Sequence, residues 1–285
     1  GFDPAHVFRE YEVDDAFGER VTPQLLRAGI AVTTTLIVDQ ALADAHDIDA
    51  YVSRPEMAYE TPGAAAFMRS PEWTFDNLWQ KDYLTRVYLP HLFRLTHDLQ
   101  RGGVSLVLGT DSGVTGVVYG FSAHQELQLL VEAGLSPYEA LLTGTRNAAA
   151  AVRSRDWGTI ERGRRADLLL VRDNPLEHIG NTRHILGVMK RGHWLDRAEL
   201  DRLLAQVREA VAAGVAGLSS PMISLGRYAS LAGSPRKYSA RTLELVDASR
   251  NVDLKHALTL HPTVLKAWLT QPDAFGAEER ALFRS

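Results

Sequence analysis

Apolar positions recur at helical spacing over Phe17 to Ala28, where Val21, Leu25 and Leu26 share one side and Gly29 follows as a stop. Ile30 to Val38, IAVTTTLIV, then reads as a strand, because three threonines and four β-branched aliphatics suit a pleated surface. Its apolar ends point to burial on both faces, as in a parallel sheet. Gln40 to Ala50 has helical character, whereas Tyr51 to Asp76, interrupted by Pro55, Pro62 and Pro71, reads as a long surface excursion. Lys81 to Arg101 returns to a helical stripe through Val87, Leu92, Leu95 and Leu99, with Pro90 expected to kink or divide it. Gly102 and Gly103 open a second strand, Val104 to Leu108, so that helix, glycine turn and strand occur twice in the same order.

The second apolar run stops abruptly in LVLGTDSG, residues 106–113, at a carboxylate. Glycines at 113, 116 and 120 follow, and Ser122 with Gln125 has capping-box spacing, predicting a helix to Ala133 with Gly134 as its stop. Ser136, Pro137 and Glu139 repeat that grammar and predict a continuous helix over Tyr138 to Val152, with Asn147 as a local backbone partner. From Asp156 the texture changes to short strands, Gly158 to Glu161, Ala166 to Val171 and His184 to Lys190, with an Arg-Gly turn before His193. Asp167 and Asp196 fall at strand or turn boundaries and read as structural. An amphipathic helix is expected over Arg197 to Ala213, then a Gly-, Ser- and Pro-rich linker from Ser219 and a helical tail to Ser285.

Composition narrows the function classes. The chain has 285 residues, 45% hydrophobic and 23% charged, with a formal charge of −4 and no cysteine. The charge supplies no basic footprint for nucleic acid, and no apolar run reaches the roughly 18 residues a membrane span needs. Nucleic-acid and membrane partners are therefore not expected, and disulfides and thiolate metal sites are excluded. The first ten residues carry neither an initiator Met nor a targeting pattern, so the sequence is expected to begin inside a longer protein.

Asp111 is the leading candidate for chemistry. A buried strand ending in short polar residues places it at the carboxyl edge of a sheet, where parallel α/β folds carry function. The alternative is an aspartate that only closes its own turn. His124, in the first turn of the next helix, faces the same end and is a candidate for substrate contact, against a solvated or cap-bonded role. His91 and His97 lie six residues apart on one helix, which points them in different directions and argues against joint ligation of an ion. His6 lacks a preceding strand.

GTDSG, then HQELQLLVEAGLSPYEALLTGTRNAAAAV, DWGTIERGRRADLLLVRDNPL and NTRHILGVMKRGHWLDR resemble, in order and spacing over about residues 17 to 197, the metal-dependent amidohydrolases of the imidazolonepropionase-like and prolidase-like branches. The resemblance implies a (β/α)8 barrel with its active site at the carboxyl ends of the strands and a small β-sandwich. Ile30 to Val38 would be about its seventh strand and Val104 to Leu108 its eighth. It also implies that Asp111 binds a divalent metal, commonly zinc, and takes a proton from the attacking water. The sequence departs from the family in having no HxH pair, and only 110 residues precede Asp111, where a whole barrel takes about 250. The expectation is thus an α/β chain holding the carboxyl-terminal part of such a barrel in residues 1–155. A β-sandwich segment at 156–197, a terminal helix at 198–218 and a linker with helical tail at 219–285 complete it. The other metal ligands would then lie before residue 1 and the chain alone would be inactive. Its substrate would be a small amide, cyclic amide or dipeptide-like molecule, with residues 114–121 and 51–76 lining the pocket. A non-catalytic binding module derived from the barrel is the competing reading, and self-association is left open.

Overall fold

A computed structural model describes residues 14–70, 84–113 and 116–213. The expectations for His6, for residues 71–76, 81–83 and 114–115, and for the linker and tail lie outside the described residues.

Helix α1, Phe17–Ala28, ends as its sequence requires, on Gly29 in the left-handed conformation at φ 64°. Strand β1 is shorter than its pattern, Val32–Thr33, and the helix α2 begins already at Leu36 and runs to Asp44. The apolar run Ile30 to Val38 is therefore not one strand. Its second half is helical because the carboxylate of Glu126, about 90 residues away, accepts the amides of Leu36 and Ile37 that open α2. The helix expected over Gln40 to Ala50 is also divided, with α3, Ile48–Val52, starting afresh under an Asp47 cap.

Residues 51–70 are not a surface excursion. Pro55 starts a short 3-10 turn, Pro55–Tyr59, and Pro62 starts helix α4, Pro62–Met68, capped by Thr61. These prolines occupy first-turn positions, where a missing amide costs nothing. Tyr51, Met57, Ala64 and Met68 are buried, so the segment is part of the core.

A single π-helical turn, Leu84–Tyr88, leads into α5, Leu89–Arg101, and Pro90 stands at their junction, dividing the predicted helix as expected. Strand β2, Leu106–Val107, lies parallel to β1 with Val32 opposite Leu106 and Thr33 opposite Val107. Leu36, Ile37, Leu99, Val104, Leu106 and Leu130 form the core around this pair. Helix α6, Phe121–Glu132, follows β2, and α7, Pro137–Thr143, carries the full Ser136–Glu139 capping box. The continuous helix predicted over Tyr138 to Val152 breaks at Gly144, and α8, Arg146–Ala151, starts anew. The break is tertiary: the amide of Leu108 takes the Thr143 carbonyl, and a side chain at Gly144 would meet Leu108 at 2.9 Å. Asn147 is not a local partner either, since its Nδ2 donates to the Leu106 carbonyl of β2 at 3.0 Å.

Beyond Asp156, β3 (Leu168–Val171), β4 (Ile185–Lys190) and β5 (His193–Asp196) form an antiparallel sheet in that order. Gly158 to Glu161 is not a strand. The β4–β5 hairpin turns on Arg191 and Gly192, both with positive φ. Asp167 accepts the Arg191 amide at 2.7 Å, and Asp196 caps helix α9, Arg197–Ala212, so both are structural, as read from the sequence. The architecture is mixed helix and strand. Among the described residues it holds a two-stranded parallel and a three-stranded antiparallel sheet, with no closed barrel. No helix among the described residues is long and apolar enough to cross a membrane.

Candidate functional site

The site is built on the exits of β1 and β2. Gly109 leaves β2 beside Thr33 of β1, so close that a Cβ would lie 2.3 Å from the Thr33 Cγ2. The next residues are locked by hydroxyls. Thr110 Oγ1 and Ser112 Oγ are hydrogen-bonded at 2.6 Å, Ser112 to Ser122 Oγ at 2.7 Å, and Ser122 donates to Thr110 at 3.1 Å. Ser122 is fully buried. With both neighbours drawn inward, Asp111 takes φ 48° and is exposed, and among the described residues no hydrogen bond or ion pair engages it. A non-glycine residue in that region costs on the order of 1 kcal/mol, least for Asn and Asp.

Helix α6 organises the rest. One turn beyond Ser122, on the same face, the fully buried Glu126 accepts the Thr34 hydroxyl at 2.6 Å and the amides of Leu36 at 3.0 Å and Ile37 at 2.8 Å. Burial holds its carboxyl above the ordinary value, and those three donors only partly oppose the shift. Ser122 is therefore no helix cap. The N-cap position belongs to Gly120, without a side-chain bond, and Gln125 donates to the buried Glu56 instead. The loop between β2 and α6 is tied at the Gly116 carbonyl by the Tyr51 hydroxyl at 3.1 Å and Arg54 at 2.9 Å. Burial raises the Tyr51 phenol to about 12, keeping it a donor. In the first turn of α2, burial lifts Asp39 to about 6.

His124 bonds through Nδ1 to Thr182 Oγ1 at 2.9 Å. The Thr182 hydroxyl hydrogen goes to the Ile179 carbonyl, so the imidazole donates from Nδ1 and Nε2 is its acceptor. Burial, helped by Arg183, lowers its pKa and favours this neutral ring. Asp111 and His124 thus flank the same β2–α6 junction without sharing a partner. His91 and His97 each face an aspartate, Asp15 at 3.8 Å and Asp98 at 3.4 Å.

Glu126 and the role of Tyr51 escaped the sequence reading, which took Ser122 for a helix cap. One signal was present: Ser122, Glu126, Leu129, Leu130 and Ala133 form a single buried stripe, and a glutamate on an apolar stripe needs a partner.

Among the described residues no three His, Asp or Glu side chains gather as a ligand set, and Asp111 is the lone carboxylate at the β2 exit. A metal site needs about three protein donors, so the described residues do not fit a complete one.

Residues 88–195 match the sequence model of the Amidohydrolase family. Among solved structures, the chain is similar to a bottromycin amidohydrolase, at 25% identity and a TM-score of 0.52 over 64% of this chain and 40% of that one. It is also similar to a Xaa-Pro dipeptidase with methionine bound in its active site, at 22% identity and 0.47 over 62% and 37%. For a molinate hydrolase the values are 30% and 0.35 over 48% and 31%. The chain therefore spans less than half the length of each. No match was found among curated proteins.

Proposed function

We infer, from a chain whose residues 88–195 are amidohydrolase-family sequence, that this protein contributes to a hydrolase of carbon–nitrogen bonds with Asp111 as its proton-handling carboxylate. The observation that carries this reading is the posture of Asp111. A carboxylate at the carboxyl end of a parallel strand is exposed, unpaired among the described residues and held at positive φ by a hydroxyl lock. A residue with only a local structural role would spend its carboxylate on neighbouring amides, as the helix caps Asp47 and Asp196 do.

In the proposed reaction water adds to the carbonyl carbon of a small amide, cyclic amide or dipeptide-like substrate and its proton passes to Asp111. The C–N bond then breaks, and Asp111 returns the proton to the leaving nitrogen and is again a carboxylate. His124, neutral with Nε2 as acceptor, is the proposed substrate contact. The fold we propose is a partial (β/α)8 barrel through residue 155, with β3 to β5 as a piece of a small β-sandwich. Members of the family use divalent metals, and Asp111 is the proposed ligand position here. The other donors, for zinc or another divalent ion, come from outside the described residues, which are inactive by themselves.

The test is metal content and hydrolysis of a panel of small amides and dipeptides, on this chain and on its full reading frame. The reading expects turnover in the full frame, lost by about 100-fold or more in Asp111→Asn. A lone donor also suits a binding module that keeps the scaffold without the chemistry. That second reading takes over if neither form binds an ion or turns over any amide.

A further inference from the structure

We propose that Glu126 is a positioning residue for Asp111, acting through helix α6 without touching it. Asp47, Thr61, Ser136 and Asp196 each cap a helix from the adjoining position in the chain. Helix α2 is instead served by a fully buried carboxylate about 90 residues away, whose hydrogen-bond partners are two backbone amides and a hydroxyl, with no cation among them. A buried carboxylate is an expensive cap, and Thr35 at the N-cap position, held at φ 48°, makes no side-chain cap bond of its own. What only the distant carboxylate supplies is a fixed link between two strand exits.

The link has two arms on one helical turn. Ser122 and Glu126 stand at i and i+4, a spacing that puts both side chains on one face. The Ser122 arm holds Thr110 and Ser112 on either side of Asp111, and the Glu126 arm holds Thr34 to Ile37 after β1. Both residues are shielded from water, so neither bond has solvent as a substitute. Freeing the Glu126 arm lets α6 shift along its axis against the sheet, and the hydroxyl lock shifts with it. The direction of Asp111 thereby depends on a carboxylate at the other strand. The part of this inference that concerns catalysis rests on the hydrolase reading, and the part that concerns geometry does not.

The experiment is amide hydrogen exchange by mass spectrometry on the full 285-residue chain, comparing wild type with Glu126→Ala, Glu126→Gln and Ser122→Ala. Glu126→Ala is expected to speed exchange at least about tenfold over residues 33–38 and also over 109–113, the scale of one lost bond to a charged group. Glu126→Gln keeps an oxygen for the Ile37 amide and offers its NH2 to the Thr34 hydroxyl but meets the Leu36 amide with a donor, so it should restore part of that protection over both segments. Ser122→Ala should loosen 109–113 alone, and residues 185–196 should stay unchanged in all three. If Glu126→Ala loosens only 33–38, the residue is a helix cap and the proposal fails. It fails equally if exchange rises everywhere, since Glu126 would then be a general core contributor. Should Glu126→Ala not fold, Thr34→Val removes one of the three donors and is read the same way. In any preparation that hydrolyses amides, Glu126→Ala should lower kcat about tenfold with KM little changed, and Glu126→Gln should recover part of it. A full reading frame that never hydrolyses amides sinks the hydrolase reading, while the exchange result on the 285-residue chain still decides the positioning.

Discussion

Gly109→Ala isolates the contact that sets how closely β1 and β2 approach at the site. A Cβ at position 109 would lie 2.3 Å from Thr33 Cγ2, while the Thr33 Cβ and Oγ1 would be at ordinary distances of 3.7 and 3.9 Å. The clash is thus with one methyl group. Gly109 is not among the glycines with positive φ, so the substitution carries no backbone penalty of its own. Overpacking of this kind costs about 1–3 kcal/mol, offset by about 0.4–1 kcal/mol because alanine restricts the unfolded chain, leaving a net loss of about 1–2 kcal/mol. Thr33→Ser deletes the offending methyl and keeps the hydroxyl. In that background Gly109→Ala should be neutral or slightly stabilising, giving a coupling of about 1–3 kcal/mol across the double-mutant cycle. Urea midpoints of the four proteins, at equal slopes, measure it. Equal losses in both backgrounds would refute the reasoning, as would a Gly109→Ala single variant as stable as wild type. Either result would mean the strand exits are not in contact as described.

Other substitutions probe the same region. Asn147→Ala strips the donor from the Leu106 carbonyl in a residue only 1% exposed and should cost about 1–3 kcal/mol by urea denaturation, with Asn147→Asp worse because a carboxylate would face the carbonyl. Burial raises Asp39 to about 6 in the folded chain, above the ordinary carboxylate value, so folding favours its protonated form. That contribution is fully present below about pH 4 and lost as pH rises through about 6. Asp39→Asn cannot lose it, and should therefore be more stable than wild type at neutral pH, on the order of 1 kcal/mol after allowance for partial exposure, with the difference vanishing near about pH 4. The lowered pKa of His124 has the opposite consequence: its contribution stands above about pH 6.5 and declines as pH falls below it. His124→Gln should flatten that acid limb in a pH series of urea midpoints, and an unchanged limb would show that the ring does not charge in this range.

Signals complete within a few residues were legible in the sequence. Gly29 ends α1, the Ser136–Glu139 box opens α7, Asp196 opens α9 and Arg191-Gly192 turns the last hairpin, because each cap or turn satisfies its own backbone. The strand ending at GTDSG was legible for the same reason, an apolar run stopping at glycine and short polar side chains. Other positions depended on partners far along the chain. Thr34 to Ile37 carries β-branched strand residues, yet the chain turns helical there because Glu126 receives the first amides. Residues 51 to 68 carry loop-like prolines, yet Tyr51 and Met68 are buried. Ser122 has the spacing of a cap, yet its hydroxyl is drawn to Thr110 and Ser112. Local hydrogen-bond grammar thus determined where several elements begin or end, and which residue follows β2. Tertiary packing alone decided that Asp111 stands exposed between two hydroxyls held by α6, because the groups that hold it are adjacent in space and not in sequence.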